Sequence, residues 1–248
     1  MSSSRGTKKS THRSWKGYAL AAIGLLVVAG VVGVGIAAQQ GGEAASGGPA
    51  GAYDNPTDSG GELKFDMSRR IEGDPTALGA VDAPVVLIEY ADFRCPFCGI
   101  YARDTMPQLI QEYVDAGVVR MEWRDLPVFG DESVAAAVAA RAAGEQDLFW
   151  EFSEVVFAGA PERGHVALPR ERLIEIAQEI GMPDIAAFEA GLTDPELLAR
   201  VEADLAEARA LGATGTPTFL VNDTPLSGAQ PLSVFREVIE AELEQARN

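Results

Sequence analysis

The chain has 248 residues, a net charge of −17 at pH 7, and a hydrophobic fraction of 47%. This length is enough for one ordinary domain with a hydrophobic core, although part of the chain has the composition of a non-globular segment. The strong acidity argues against nucleic acid or an anionic lipid surface as a partner, and solubility is its simplest meaning.

The first 38 residues have the pattern of a membrane-targeting segment. Residues 1–17 carry five Lys or Arg residues and no acidic residue, and residues 18–38 carry no charge. As a helix, the second segment would extend about 31 Å, which matches a bilayer core of about 30 Å. We therefore predict a cytoplasmic tail over 1–17 and a single-pass transmembrane helix over 18–38, which would place the rest of the chain outside the cytoplasm at the cell membrane. A signal peptide cleaved at Ala37-Ala38 is the alternative, although this apolar segment is long for one.

Residues 39–61 are dominated by Gly, Ala, Ser and Pro and show no apolar periodicity. This composition predicts a flexible linker, with a root-mean-square reach of about 26 Å if it behaves as a Gly-rich coil. The folded domain is therefore expected to comprise residues 62–248.

The folded part opens with the apolar run "APVVLIEYADF", which predicts a strand buried on both faces. This strand leads directly into Cys95 and Cys98, the only two cysteines in the chain. Helical spacing follows and ends at Gly117. The segment "VVRMEWRDL" then predicts a second strand, and strand, helix and strand together predict a right-handed βαβ unit. Three apolar residues alternate with three charged ones on this second strand: Val119, Met121 and Trp123 with Arg120, Glu122 and Arg124.

Residues 131–212 are helical almost throughout and contain four recognisable helical segments. The last of them has Asp194 as its predicted cap and Gly212 as its stop. Its apolar stripe, interpreted as a core-facing surface, comprises Leu198, Val201, Leu205, Ala208 and Leu211. Strand signals return only in "TPTFLVNDTPLSG", where Asn222-Asp223 predicts a hairpin turn, and an amphipathic helix closes the chain. This order predicts a small sheet with a helical domain inserted at about 131–212.

Cys95 and Cys98 lie at the predicted strand-to-helix junction. Structural zinc usually needs four Cys or His ligands, and beyond the linker His165 is the only other candidate, so zinc is disfavoured, as is a Cys-His nucleophile pair. A structural disulfide that closes so short a loop would stabilise the chain little. A helix N-terminus favours a thiolate, so Cys95 is predicted to be the more exposed thiol and the nucleophile, and Cys98, one turn later, the resolving thiol. Pro96 suits an early helix position because the missing N–H costs nothing there.

The CxxC junction, the helical block and the late "TGTPTF" make the sequence resemble the DsbA-like disulfide oxidoreductases of the thioredoxin superfamily, from about residue 63 to the end. The resemblance implies an α/β, thioredoxin-like fold with an inserted helical domain. It also implies that Pro217 is a cis-proline beside the disulfide and that Thr216 offers backbone hydrogen bonds to an extended substrate. Finally, it implies a partly buried acid that shuttles protons, for which Glu89 is the candidate and Asp92 the alternative.

Two positions depart from the DsbA pattern. The DsbA motif has histidine where this chain has Phe97, and valine where this chain has Thr216. Both positions adjust thiolate stability, so the reduction potential could differ from that of DsbA. Pro96 and Phe97, between the two cysteines, are expected to contact the substrate together with Thr216.

The sequence therefore predicts a membrane-tethered, extracytoplasmic thiol-disulfide oxidoreductase that introduces disulfide bonds into exported proteins. Its expected partners are reduced exported proteins and a membrane re-oxidase, either of DsbB type or similar to vitamin K epoxide reductase. No metal, organic cofactor or nucleic acid is expected. A reductase or isomerase of the same fold is one alternative, and a non-catalytic peptide-binding module with a structural disulfide is another.

Overall fold

The computed structural model of the protein describes residues 66–247. The predicted cytoplasmic tail (1–17), transmembrane helix (18–38) and linker (39–61) lie outside the described residues. None of the helices within residues 66–247 combines the length and the apolar composition of a membrane span.

The centre of the fold is a five-stranded sheet. Its strands are β1 Ala77–Leu78, β2 Val85–Ala91, β3 Val119–Asp125, β4 Thr218–Val221 and β5 Thr224–Ser227, in the spatial order β1, β3, β2, β4, β5. Strands β2 and β3 are parallel, which confirms the predicted βαβ unit. Strands β4 and β5 form the predicted hairpin, and Asn222 adopts a positive φ of 51° at its turn. The sequence does not predict β1, because two residues are too few to show an alternating pattern.

Helices cover both faces of the sheet. Their bounds within residues 66–247 are α1 Pro96–Asp104, α2 Met106–Leu109, α3 Asp131–Gly144, α4 Phe149–Ala158, α5 Arg170–Glu179, α6 Ile185–Gly191, α7 Pro195–Ala210 and α8 Leu232–Ala246. The single helix predicted after the cysteines is interrupted at Thr105, because Pro107 lacks the N–H that would continue the helical hydrogen bonds. A π-helical turn, Ile110–Val114, follows α2, and Gly117 ends the segment with a φ of +70°.

Helices α3 to α7 stand between β3 and β4 in the chain and pack together in one hydrophobic core. That core also contains Phe93, Cys95, Cys98 and Trp123. A second core on the α8 side of the sheet contains Leu87, Tyr101, Phe219 and Phe235. The two cysteines therefore lie where the helical block meets the sheet.

Helix α7 largely buries the predicted stripe, since Leu198 and Leu205 are also partly buried against hydrophobic cores. Leu197, Val201, Asp204 and Ala208 are buried, whereas Leu211 is 45% exposed. The physical reason is that α7 ends at Ala210, so Leu211 is its C-cap residue and lies past the helical turns that pack on the core. The interpretation of Leu211 as a core residue is therefore wrong.

Candidate active site

Cys95 is the N-cap residue of α1. Strand β2 ends at Ala91, and Cys95 follows after a short turn with a φ of −74° and a ψ of 122°, immediately before Pro96 in the first helical turn. The backbone N–H of Cys95 donates to the carbonyl oxygen of Asp92 at 3.0 Å. Cys98 lies one turn into the helix, on the same side as Cys95.

The two cysteines are free thiols with different acidities. The pKa of Cys95 is lowered to about 6, above all by a hydrogen bond with the Cys98 thiol. Burial opposes this effect, while the Thr216 side chain and the backbone N–H groups of Cys98 and Phe97 lower the pKa further. An unperturbed cysteine has a pKa of about 8.5, so Cys95 is mostly a thiolate at pH 7.

Cys98 has the opposite character. Burial raises its pKa well above the ordinary value, and the hydrogen bond to Cys95 and the charges of Cys95 and Glu89 act in the same direction. One thiol of the pair is therefore ionised at neutral pH while the other keeps its proton. This asymmetry suits thiol-disulfide exchange, because the attacking or leaving sulfur must be stable as an anion.

Cys95 is the more exposed thiol of the pair, as predicted, but by very little: 1% of Cys95 is accessible, against 0% of Cys98. It is covered because the chain returns at Thr216, whose carbonyl oxygen lies 3.3 Å from the Cys95 sulfur. Pro96 is also buried. Of the two residues between the cysteines, only Phe97 presents its side chain to solvent, with 56% exposed.

The Thr216–Pro217 peptide bond is cis, as predicted. The Thr216 hydroxyl is buried and makes no hydrogen bond of standard length and angle within residues 66–247. It nevertheless lies near enough to the Cys95 sulfur to lower the pKa of that thiol. A groove of about 440 Å³ follows this segment. Its walls include Tyr90, Leu211, Thr216, Pro217, Thr218, Leu220 and Pro225.

Glu89 lies on β2, six residues before Cys95, and is 3% exposed. Its carboxyl group has no hydrogen bond to any described residue. Burial raises the pKa of Glu89 to about 8, and the nearby charge of Cys95 contributes in the same direction. At neutral pH, this group is therefore mostly protonated and can exchange a proton near the dithiol.

Asp92, the alternative acid, has a structural role. Its carboxylate accepts hydrogen bonds from the backbone N–H groups of Arg94 at 2.8 Å, Val128 at 2.7 Å and Phe129 at 3.2 Å. These bonds tie the turn before α1 to the loop after β3. Asp92 is therefore a structural clamp, whereas the carboxyl group of Glu89 is left without such hydrogen bonds.

Arg94 helps to hold the cysteine turn in place, and the sequence did not predict this role. Its guanidinium group donates to the carbonyl oxygens of Val166 at 2.9 Å and Phe129 at 2.7 Å, which fastens the cysteine turn to two loops of the helical block. His165, the disfavoured metal ligand and base, packs its ring on Phe129 with centroids 4.0 Å apart. Its Nδ1 lies 3.2 Å from the Arg94 carbonyl oxygen. An arginine directly before a CxxC is the only sequence signal that could have suggested this arrangement.

Comparison with known proteins identifies the family. A family model described as thioredoxin matches residues 72–241. The chain belongs to this thioredoxin family. The structure also resembles the oxidised crystal structure of BdbD from Bacillus subtilis, with a TM-score of 0.66, 27% identity, and coverage of 73% of this chain and 97% of BdbD.

Two proteins with similar sequences have very different names. A probable disulfide bond formation protein D of Bacillus anthracis is 31% identical over 59% of this chain and 69% of its own length. A protein named Na(+)/H(+) antiporter NhaA, from Herminiimonas arsenicoxydans, is 39% identical over 66% of this chain. The match spans only 25% of the antiporter relative's length. The similarity to the Bacillus anthracis protein and to BdbD supports the assignment of this chain as a thiol-disulfide oxidoreductase with a DsbA-like thioredoxin fold.

Proposed function

We propose that this protein is an extracytoplasmic, membrane-tethered thiol-disulfide oxidoreductase that introduces disulfide bonds into exported proteins through its CPFC site. The observation that carries the proposal is the difference in acidity between the two thiols. A pKa of about 6 at Cys95, against a raised pKa at Cys98, stabilises the reduced form as a Cys95 thiolate. A protein whose reduced form is stabilised in this way accepts electrons readily and therefore oxidises its substrates.

The proposed reaction starts from the Cys95–Cys98 disulfide. A substrate thiolate attacks the Cys95 sulfur, a substrate–Cys95 disulfide forms, and Cys98 leaves and takes up a proton. Glu89 is the group placed to supply that proton, because it is buried and mostly protonated at pH 7. A second substrate thiolate then attacks the substrate sulfur of the mixed disulfide, and Cys95 leaves as a thiolate. The substrate loses two electrons, which reduce the protein to the dithiol.

The remaining site residues have proposed roles in substrate binding. Thr216 and Pro217 line the groove beside Cys95, and an extended chain could run along it. Phe97 offers an exposed apolar surface at the same site, as expected for a protein that accepts unfolded chains. Pro96 is buried, so we propose that it positions the helix start and does not contact the substrate through its side chain.

Each turnover leaves the dithiol reduced, so the proposal includes a membrane re-oxidase of DsbB type or similar to vitamin K epoxide reductase. The proposed location is the cell membrane, with residues 18–38 as the anchor and the N-terminus in the cytoplasm. Fractionation of cells followed by a western blot tests the anchor. A mature protein that begins near Gln39 and washes off membranes would contradict it.

The activity is tested with oxidised full-length protein and reduced, unfolded ribonuclease A. We expect stoichiometric oxidation and recovery of ribonuclease activity, with none for Cys95→Ala.

Reduced Cys98→Ala should form stable mixed disulfides with protein disulfides, and the matched Cys95→Ala should form none. A fixed bridge that resists dithiothreitol would support the peptide-binding module. A reduction potential as low as about −270 mV, the value for thioredoxin, would overturn the oxidase assignment in favour of a reductase.

A further inference from the structure

Tyr101 packs beside the two groups that exchange a proton in the proposed reaction. It lies on α1, three residues after Cys98, so the two side chains are neighbours on one face of the helix. Its ring packs on Phe219 of β4, with centroids 4.6 Å apart. Phe219 is directly opposite Glu89 in the antiparallel β2–β4 pair, and such residues have Cβ atoms about 5 Å apart on the same face of the sheet. The Tyr101 ring therefore covers the strand pair that carries Glu89.

The hydroxyl group of Tyr101 is buried and has no hydrogen-bond partner within residues 66–247. Buried hydroxyl groups nearly always have a partner, because the loss of hydration is otherwise not offset. The buried carboxyl group of Glu89 also lacks a hydrogen bond to a described residue. Two polar groups without partners therefore lie under the helix that carries the dithiol, and one of them changes its charge in the proposed reaction.

The two groups become complementary when Glu89 is ionised. In the proposed reaction, the Cys98 thiolate forms an S–H bond with the proton of Glu89, whose O–H bond breaks, and Glu89 is left as a carboxylate. A buried carboxylate without a hydrogen-bond donor is costly, and a donor to a charged group stabilises it more than it would a neutral one. Tyr101 can serve as that donor without losing its own proton, because burial and the nearby charge of Glu89 raise its pKa well above the ordinary value.

We propose that Tyr101 is a positioning residue for proton transfer to Cys98: its hydroxyl donates a hydrogen bond, directly or across one bound water, to the carboxylate that Glu89 becomes when it gives up its proton. This inference rests on the proposed function, because Glu89 is the proton donor there. Tyr101 keeps its own proton and acts only through Glu89. By lowering the free energy of the ionised form of Glu89, it makes that residue a stronger acid towards the Cys98 thiolate.

The equilibrium test measures the pKa of Glu89 in oxidised full-length protein labelled with [δ-¹³C]glutamate, from the chemical shift of the carboxyl carbon. Glu89→Gln identifies the signal by its absence, and the disulfide removes the titrations of Cys95 and Cys98. Tyr101→Phe keeps the aromatic ring but removes the donor, so the pKa of Glu89 should rise by about 1 to 2 pH units, as expected for a lost hydrogen bond to a charged group. The other ionisable side chains around Glu89 line the same cavity, of about 460 Å³, and stay unchanged in this variant: Arg103, Glu151 and Glu154.

Tyr113→Phe is the matched control. Tyr113 belongs to the same hydrophobic core as Tyr101, but its hydroxyl donates to Glu240 at 3.0 Å. Its removal should leave the pKa of Glu89 where it is in the wild type. An unchanged pKa of Glu89 in Tyr101→Phe, or an equal rise in both variants, would overturn the inference.

The kinetic test asks whether Tyr101 acts through Glu89. Because the rate of proton transfer follows the acidity of the donor, disulfide transfer from the oxidised protein to a reduced dithiol peptide at pH 7 should slow about three- to tenfold in Tyr101→Phe. The same substitution should have no further effect in Glu89→Gln. An unchanged rate, or an equal fall in both backgrounds, would contradict the assigned role. If the wild type transfers no disulfide at all, the proposed function fails, while the pKa comparison still decides whether Tyr101 bonds to Glu89.

Discussion

Strands β2 and β3 each carry a buried glutamate, and the two side chains point to opposite faces of the sheet. Glu89 is 3% exposed, has no hydrogen bond to a described residue, and has a pKa raised to about 8 by burial. Glu122 is 1% exposed. Burial alone would raise its pKa too, but the backbone N–H of Arg69 and the guanidinium groups of Arg124 and Arg120 lower it to about 2.

Burial favours the protonated form of both glutamates, so the comparison shows that hydrogen-bond partners decide which of the two stays charged. Glu122 belongs to a cluster of paired charges that joins the segment before β1 to β3, α3 and α7: Arg69, Arg120, Glu122, Arg124, Asp125, Arg141, Asp204 and Glu207. Glu89 faces the dithiol and a cavity. An acid without partners can change its protonation during a reaction, whereas a fully paired acid is fixed as a carboxylate and serves stability.

The largest expected effect comes from removing the charge of Glu122, the buried glutamate that is paired with arginines. In Glu122→Gln, the side chain loses its charge, so Arg120 and Arg124 keep buried charges without a full partner. Removing one member of a buried ion pair typically costs about 3 to 5 kcal/mol, and we expect a loss of that order in the free energy of unfolding. Urea denaturation of the oxidised protein at pH 7 measures it.

Glu112→Gln is the matched control, because Glu112 also receives two hydrogen bonds from an arginine, Arg236, but at the surface. Exposed pairs contribute little, so this variant should denature at nearly the wild-type urea concentration. Equal losses in the two variants would show that burial of the cluster does not matter.

The contrast between the two faces also shows what the sequence can predict. The position of Cys95 at a strand-to-helix junction follows from a local pattern that a few neighbouring residues carry, and the cis bond at Pro217 follows from the family resemblance of "TGTPTF". The burial of Cys95 depends on Thr216, more than a hundred residues later, and no local pattern reports that contact. The pairing of Glu122 likewise depends on Arg69, which precedes the sheet. Alternation on β3 predicts two faces but does not tell that the charged one is buried.

The second prediction concerns Glu89, the buried glutamate without hydrogen-bond partners among the described residues. The pKa of Glu89 is higher in the folded protein, at about 8, than in an unfolded chain, at about 4.3. The folded state therefore binds an extra proton between these values, and stability falls as the pH rises through this window. Glutamine has no such proton, so Glu89→Gln should gain roughly 3.5 kcal/mol over the wild type at pH 7 and almost nothing at pH 4.

Urea denaturation of the oxidised forms at the two pH values measures this difference, and oxidation removes the cysteine titrations. Glu154→Gln, on the exposed rim of the same cavity, should match the wild type at both. A constant difference between Glu89→Gln and the wild type would mean that Glu89 titrates normally. Because the variant also lacks the proton donor, its disulfide transfer at pH 7 should be slower even though it is more stable.

The smallest effect concerns the hydroxyl group beside Cys95. Thr216→Val preserves the shape of the side chain but removes one of the interactions that lower the Cys95 pKa. A full hydrogen bond contributes about 1 kcal/mol, so the midpoint of iodoacetamide alkylation of the reduced protein should rise by up to roughly 0.7 pH units from the wild-type midpoint near 6. The reduced form then loses stability, and the protein should become a weaker oxidant.

Thr218→Val separates the hydroxyl effect from damage to the loop. The Thr218 hydroxyl belongs to the same loop but donates to the Gly215 carbonyl oxygen at 2.7 Å, and it does not contribute to the lowered pKa of Cys95. Its removal should leave the alkylation midpoint where it is in the wild type. If both variants move the midpoint equally, the loop as a whole sets the acidity of Cys95. If neither does, the Cys98 thiol and the N-terminus of α1 are sufficient to ionise Cys95.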